Sequence, residues 1–246
     1  SGSIWKQMTF FAMPIFLGNL FQQLYNTVDS LIVGNFLGSS ALAAVSSSGS
    51  LIFMLIGFLS GISAGAGVIV ARFFGAGDEK NLQRAVHTTV AFGLVAGVLM
   101  TGVGVALSPQ ILRWMDTPES VMRESVTYLQ IYFAGSLGFV MYNVLVGILQ
   151  AVGDSRHPLY YLIVSSVINL VLDLLFITGF HTGVGGAAVA TVISQIVSAL
   201  LCFWQLLRTK ESYGLKIRKI RFDKGILVQI IKIGLPSGVQ NSIIAF

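Results

Sequence analysis

Charge is what this 246-residue sequence has least of. Asp, Glu, Lys and Arg together make up 10% of it, where soluble globular domains carry about a quarter. Hydrophobic residues make up 54%, and mean hydropathy is +0.82. Such a balance excludes both a soluble globular domain and a disordered, highly charged chain. Cysteine is nearly missing as well. The single Cys202 rules out an intrachain disulfide and a multi-cysteine metal site, and it reads as a packed thiol in a helix. No nucleophile–base pattern of a hydrolase is present, so the chain is not expected to be an enzyme. The glycine-rich Gly183–Gln195 stretch lacks the Gly-Lys-Ser/Thr that a phosphate loop needs.

What is there is apolar sequence in long runs. About twenty apolar residues cross a hydrocarbon core about 30 Å thick as a helix. Six such runs are complete, at roughly 8–33, 51–73, 85–107, 125–150, 159–180 and 185–207, and a seventh begins at Ile226. Ser108-Pro109 is expected to stop the third, and Pro14 falls within the first two turns of the first, where a missing N–H costs least or a bend results. The second carries Ser60, Gly61, Ser63, Gly65 and Gly67, a small-residue face suited to close approach of a neighbour. The predicted fold class is therefore an all-α polytopic membrane protein, a six-helix lobe with the start of a seventh helix. Residues 1–7 read as a leading linker and N-terminus, 8–207 as the lobe, 208–225 as a basic connector, and 226–246 as the first helix of a second lobe.

Lys and Arg collect in loops on one side of the bilayer, as cytoplasmic loops do. Arg72, Lys80, Arg84, Arg156 and the run from Arg208 to Lys224 all fall on that side, and only Arg113 and Arg123 on the other. The N-terminus is thus expected in the cytoplasm of a cell inner or plasma membrane. Trp5, Trp114 and Trp204 lie near span ends, as an interfacial aromatic belt requires. The basic connector then follows from topology rather than nucleic-acid binding, with some attraction to anionic lipid as a by-product. His87 and His157 fall on one side and His181 on the other, so the three histidines do not form a metal site.

Of the ten acids, eight fall in loops or at span ends. Asp29 and Asp173 do not. A charged side chain in hydrocarbon costs roughly 2.5–3.5 kcal/mol on insertion scales, so one is usually kept for a pathway, a relay or an ion site. Both acids belong to odd-numbered spans that run in the same direction, which places them at similar depth in the outer half of the bilayer. Each has an amide about one turn earlier, Asn26 and Asn169, and Gln22 extends the first stripe. Two poorly hydrated carboxylates cannot both ionise easily, so the pair is expected to hold a proton or, with the amide oxygens, a hard cation such as Na⁺. Thr191 lies near the same depth, although a lone hydroxyl more often bonds its own helix backbone. Two intramembrane aspartates also suit an intramembrane aspartyl protease, but Gly153-Asp154 lies in a loop and lacks the second glycine of that signature.

The final segment echoes the first: Ala12-Met-Pro-Ile-Phe-Leu-Gly-Asn19 aligns with Gly234-Leu-Pro-Ser-Gly-Val-Gln-Asn241. Six spans separate the copies, which is the sign of parallel repeats about an axis along the membrane normal. Together the lines Pro14 to Asp29, Val33-Gly-Asn-Phe-Leu-Gly38, Ala71-Arg-Phe-Phe-Gly-Ala-Gly77, Gln150 to Pro158, Asn169 to Asp173 and Gly183 to Gln195 resemble the multidrug and toxic-compound extrusion (MATE) transporters, over essentially the whole chain. The resemblance implies half of a twelve-helix antiporter that exports cationic or amphipathic drugs in exchange for H⁺ or Na⁺. The coupling site it implies is Asp29, Asn169, Asp173 and Thr191; Asn26 is added from helical spacing alone. It implies no cofactor besides the coupling ion, and as partners membrane lipid, the small organic substrate, and a second lobe or second copy of the chain. Two alternatives stay open: a lipid-linked oligosaccharide flippase of the same superfamily, and a non-transporting half.

Overall fold

The computed structural model describes residues 2–245, and among them there is no strand. The helices are α1 (Ile4–Leu37), α2 (Ser39–Gly75), α3 (Glu79–Trp114), α4 (Glu119–Ala134), α5 (Ser136–Ala151), α6 (Arg156–Leu174), α7 (Val184–Arg208) and α8 (Lys224–Ala245). A wide π-helical turn, Leu175–Gly179, continues α6, and a single 3-10 turn, Ile217–Lys219, interrupts the connector before α8.

The helices outrun the apolar segments that announce them. Hydropathy stops where water begins, whereas a helix continues as long as its backbone bonds are met. Thus α2 starts at Ser39 because Ala and Ser tolerate helix there, with Ser47 Oγ donating to the Ala43 carbonyl at 2.8 Å. At the start of α3, Asp78 accepts from the Asn81 N–H at 3.2 Å and from its side-chain amide at 2.7 Å. These bonds hold the Asp78 carboxyl below the usual carboxylate range. Between α1 and α2 the chain turns on Gly38 alone, at φ +89°, a conformation that favours glycine.

Two sequence expectations change. The third helix does not stop at Ser108-Pro109: α3 runs through Pro109 to Trp114, with Ser108 Oγ bonding back to the Gly104 carbonyl at 2.6 Å. The fourth run is not one helix but two, α4 and α5, bent by 52° at Gly135. The reason is packing, since a side chain at Gly135 would collide with Val192 of α7 and one at Gly138 with Ile196. The six-helix lobe with a seventh helix stands, as α1, α2, α3, the bent α4–α5 pair, α6 and α7 precede α8; among the described residues four of these helices are long and apolar enough to cross a membrane, and the bent pair makes a fifth. α1, at 34 residues, has the length but not the composition, because Gln22, Gln23, Asn26 and Asp29 interrupt it.

The core lies where α2, α3, α5 and α7 meet, around Ile69, Leu82, Leu145, Ile148, Leu149 and Leu206, each at most 1% exposed. Leu215 of the connector and Ile226 and Ile230 of α8 belong to the same core. α1 is held more lightly. Only Gly18 and Val33 are buried on it, Gly18 against Leu159 and Leu162 of α6. Its outer face, with Phe10, Phe16, Leu20 and Leu31, is exposed. Such apolar exposure suits contact with hydrocarbon or with further helices rather than water.

The tightest helix pair is α2 with α8. Gly57, Gly61 and Gly65 recur every fourth residue on α2, and Gly234 and Gly238 do so on α8. A Cβ at Gly61 would overlap the backbone of Gly238, and one at Gly65 that of Gly234. A Cβ at Gly57 would sit 3.0 Å from the Asn241 carbonyl oxygen, and Ser242 Oγ donates to the Met54 carbonyl at 3.3 Å. This is how helices associate where no hydrophobic effect separates them from lipid: small residues bring the backbones into van der Waals contact. Of the small-residue face read from the sequence, α8 covers Gly61 and Gly65, whereas Ser63 and Gly67 lie against Gly147 of α5 and Ser60 is exposed.

Candidate functional site

The α6 line from Asn169 to Asp173 spans one helical turn, so both side chains point the same way, toward α1 and α7. Asn169 is 1% exposed and Asp173 fully buried. Asp29 of α1 is partly buried, and its carboxyl lies within side-chain hydrogen-bonding reach of Asp173. The two acids that hydropathy singled out are thus brought together.

Around them the hydrogen bonds are uneven. The Asn169 amide nitrogen donates to the Tyr25 hydroxyl, to Ser194 Oγ at 3.2 Å and to Thr191 Oγ1 at 3.4 Å. Thr191 Oγ1 donates to its own helix at the Ala187 carbonyl, 3.1 Å away, and Ser194 Oγ to the Thr191 carbonyl at 2.8 Å. The donors of Asn169, Thr191 and Ser194 are therefore spent, and the Tyr25 hydroxyl proton is the one left over. The acceptors are not: Asp29 Oδ1, Asn169 Oδ1 and both carboxyl oxygens of Asp173 are buried with no donor. Leaving buried polar atoms unpaired costs about 1–3 kcal/mol each. A proton shared between the carboxyls, or a small hard cation among the oxygens, removes that cost.

Just past Asp173 the backbone changes form. The Phe180 N–H donates to the Leu175 carbonyl at 3.0 Å, five residues back, which widens the helix into the π turn. Such turns recur beside functional sites, because they redirect side chains without ending the helix.

One sequence expectation is corrected here. Asn26 is exposed, and none of the described hydrogen bonds reaches it; it does not join the cluster. Tyr25 does, one residue earlier and four before Asp29. Positions three and four residues away both count as the same face, and only the direction of the neighbouring helix decides between them. Tyr25 and Ser194 are the residues that sequence reasoning missed. Nothing marks Ser194 among the serines of α7, and Tyr25 counts toward the apolar body of α1. Substituting Tyr25 by Phe is expected to cost about 1 kcal/mol in thermal unfolding, the net worth of one hydrogen bond, whereas Asn26→Ala should stay within about 0.5 kcal/mol of wild type. The reverse ranking would return Asn26 to the site.

Fold and site together define a multi-pass, all-α membrane protein with a buried acid–amide cluster between α1, α6 and α7. Residues 14–175 match the sequence profile of the MatE family, and the chain belongs to that family. It is 34% identical over 250 residues to a probable multidrug resistance protein of Bacillus subtilis, an alignment covering 99% of this chain and 54% of that protein. The chain thus spans about half the length of the curated relatives it matches. It is also similar to solved structures of a MATE-family multidrug resistance transporter in two states. The outward-facing one superposes with a TM-score of 0.89 at 27% identity, over 98% of this chain and 53% of that one. The inward-facing one gives 0.83 at 29% identity, over 92% and 52%.

Proposed function

We propose that this chain forms the N-terminal lobe of a secondary antiporter that exports cationic or amphipathic organic compounds in exchange for H⁺ or Na⁺. In this reading Asp29 and Asp173 bind the coupling ion, Asn169 contributes its free carbonyl oxygen, and Tyr25, Thr191 and Ser194 orient Asn169. The observation that carries it is the set of buried oxygens without donors on Asp29, Asn169 and Asp173. Relatives named as multidrug resistance and multidrug export proteins support the drug-efflux part. The Lys and Arg distribution supports a cytoplasmic N-terminus and connector. A ligand shifts conformations only through unequal affinity for them, so ion binding must differ between the outward- and inward-open forms of the complete transporter.

The test uses the chain joined to a second lobe, in cells lacking their own efflux pumps. Efflux of a cationic dye is expected to follow an imposed pH or Na⁺ gradient, and comparing the two gradients names the ion. Movement of a lipid-linked pyrophosphate, with no response to dye or gradient, would instead make the protein a flippase.

A further inference from the structure

The connector between α7 and α8 is pinned by one face of α3. Gln83 Nε2 donates to the Ser212 carbonyl and, at 3.2 Å, to that of Gly214. The Lys216 N–H donates to His87 Nε2 at 3.0 Å. The Asp223 N–H donates to Thr88 Oγ1 at 3.0 Å, and that hydroxyl donates to the Arg221 carbonyl at 3.5 Å. Between these points Leu215 is buried in the core. Asp223 then caps α8, accepting from the Ile226 N–H at 3.2 Å, while its other carboxyl oxygen lies 3.8 Å from Arg84 Nε. Gln83, His87 and Thr88 therefore set the point at which α8 leaves the connector to meet α2.

Of these three side chains only the imidazole exchanges a proton in the physiological range, and its bonds specify one protonation state. Nδ1 lies 2.6 Å from the Gln83 carbonyl oxygen, an acceptor, so Nδ1 carries the hydrogen. Nε2 faces the Lys216 N–H, a donor, so Nε2 must be bare. A second proton would set N–H against N–H at a site only 3% exposed. The ionisable groups on the segments around it are Arg84 on α3, Arg72 at the end of α2, Glu211, Tyr213, Lys216 and Asp223 on the connector, and Lys224 opening α8. No carboxylate bonds the ring, whose two nitrogens are both taken by backbone groups, and Asp223 is engaged by Arg84.

We propose that His87 is a positioning residue that acts as a proton-operated latch: neutral, it holds the connector at Lys216; protonated, it lets go and frees the register in which α8 docks. This stands apart from the ion site and from any transport activity, since it concerns a bond within the chain.

Amide hydrogen exchange of the 246-residue chain in lipid nanodiscs tests it, read at Lys216 and corrected for the intrinsic pH dependence of exchange. Protection at Lys216 is expected to fall about tenfold between pH 7.5 and pH 5.5, the loss of one hydrogen bond. A Gln side chain places a non-titrating acceptor near the position of Nε2, so His87→Gln should keep Lys216 protected at both pH values. The Leu227 amide, bonded to the Asp223 carbonyl within the α8 cap, serves as reference. Wild-type protection that persists at pH 5.5 overturns the latch. So does loss of protection in His87→Gln at pH 5.5, which would assign the change to another group.

Discussion

Asp29→Asn in the complete transporter is expected to abolish gradient-driven efflux while the protein inserts normally and melts at an equal or higher temperature. The two halves of that result have one cause. Asn has nearly the shape of Asp but carries a permanent donor where the acid carries a removable proton. Facing Asp173, its amide nitrogen supplies a hydrogen bond to oxygens that otherwise have none, which is worth about 1–3 kcal/mol where a buried acceptor was unpaired. The site is then held in the form that resembles ion-loaded protein, and a gradient has nothing left to bind. A site with no difference in affinity between two conformations moves neither population. Asp173→Asn should behave alike, because the carboxyls act as a pair. Dye efflux and thermal unfolding measured on one preparation check both halves. Undiminished efflux from Asp29→Asn removes the acid from the coupling site. Lost efflux with lost folding would mean the acids serve only to join the helices.

Gly61→Leu is expected to undock α8 and to cost about 3 kcal/mol, the upper part of the usual range for overpacking a well-filled interior. The obstruction at Gly61 is backbone. A flexible side chain could swing away, but the Gly238 main chain moves only if α8 moves. The measurement is thermal unfolding together with amide exchange along 224–245. Gly49→Ala provides the contrast within the same helix, since nothing lies within 4 Å of a Cβ there. That change should be neutral or stabilising by up to about 1 kcal/mol through helix propensity alone. If Gly61→Leu leaves α8 protected, the close crossing of α2 and α8 does not hold the chain together.

The acid pair was legible in the sequence because charge inside hydrocarbon is costly enough to be conspicuous. Two carboxylates in runs of parallel direction and similar depth leave few arrangements. The face of α2 was legible too, as a repeat of small residues, but not its partner, since glycine fits any close neighbour. What escaped depended on neighbours not yet placed. The bend at Gly135 arises from Val192, more than fifty residues later in the chain, and glycine is too common here, with 27 copies, to mark a bend by itself. Pro109 signals a stop in the sequence because proline removes a donor, yet a single missing bond near the end of a long helix is tolerated. Polarity favours Asn26 over Tyr25, whereas rotation about the helix axis turns Tyr25 toward the cluster. The echo of α1 in α8 is likewise partial: Gly234 and Gly238 align with Ala12 and Phe16. The close-packing glycines therefore belong to only one copy.

The modest apolar character of α1 bears on how the protein is made. This helix emerges from the ribosome before α2, and it is the one whose amides and acid weaken its partition into lipid. Asp29 adds to that weakness, since a carboxylate costs roughly 2.5–3.5 kcal/mol at a helix centre and less toward its ends. The next segment, α2, is strongly apolar and follows after Gly38 alone. The two are thus suited to enter the bilayer as a hairpin, with the second helix carrying the first. Asp29 then waits in a half-built protein until α6, more than a hundred residues later, brings Asp173 beside it. The residue pair that would give the lobe its ion site thus also sets an order to its biogenesis, leaving α1 incompletely settled until α6 arrives.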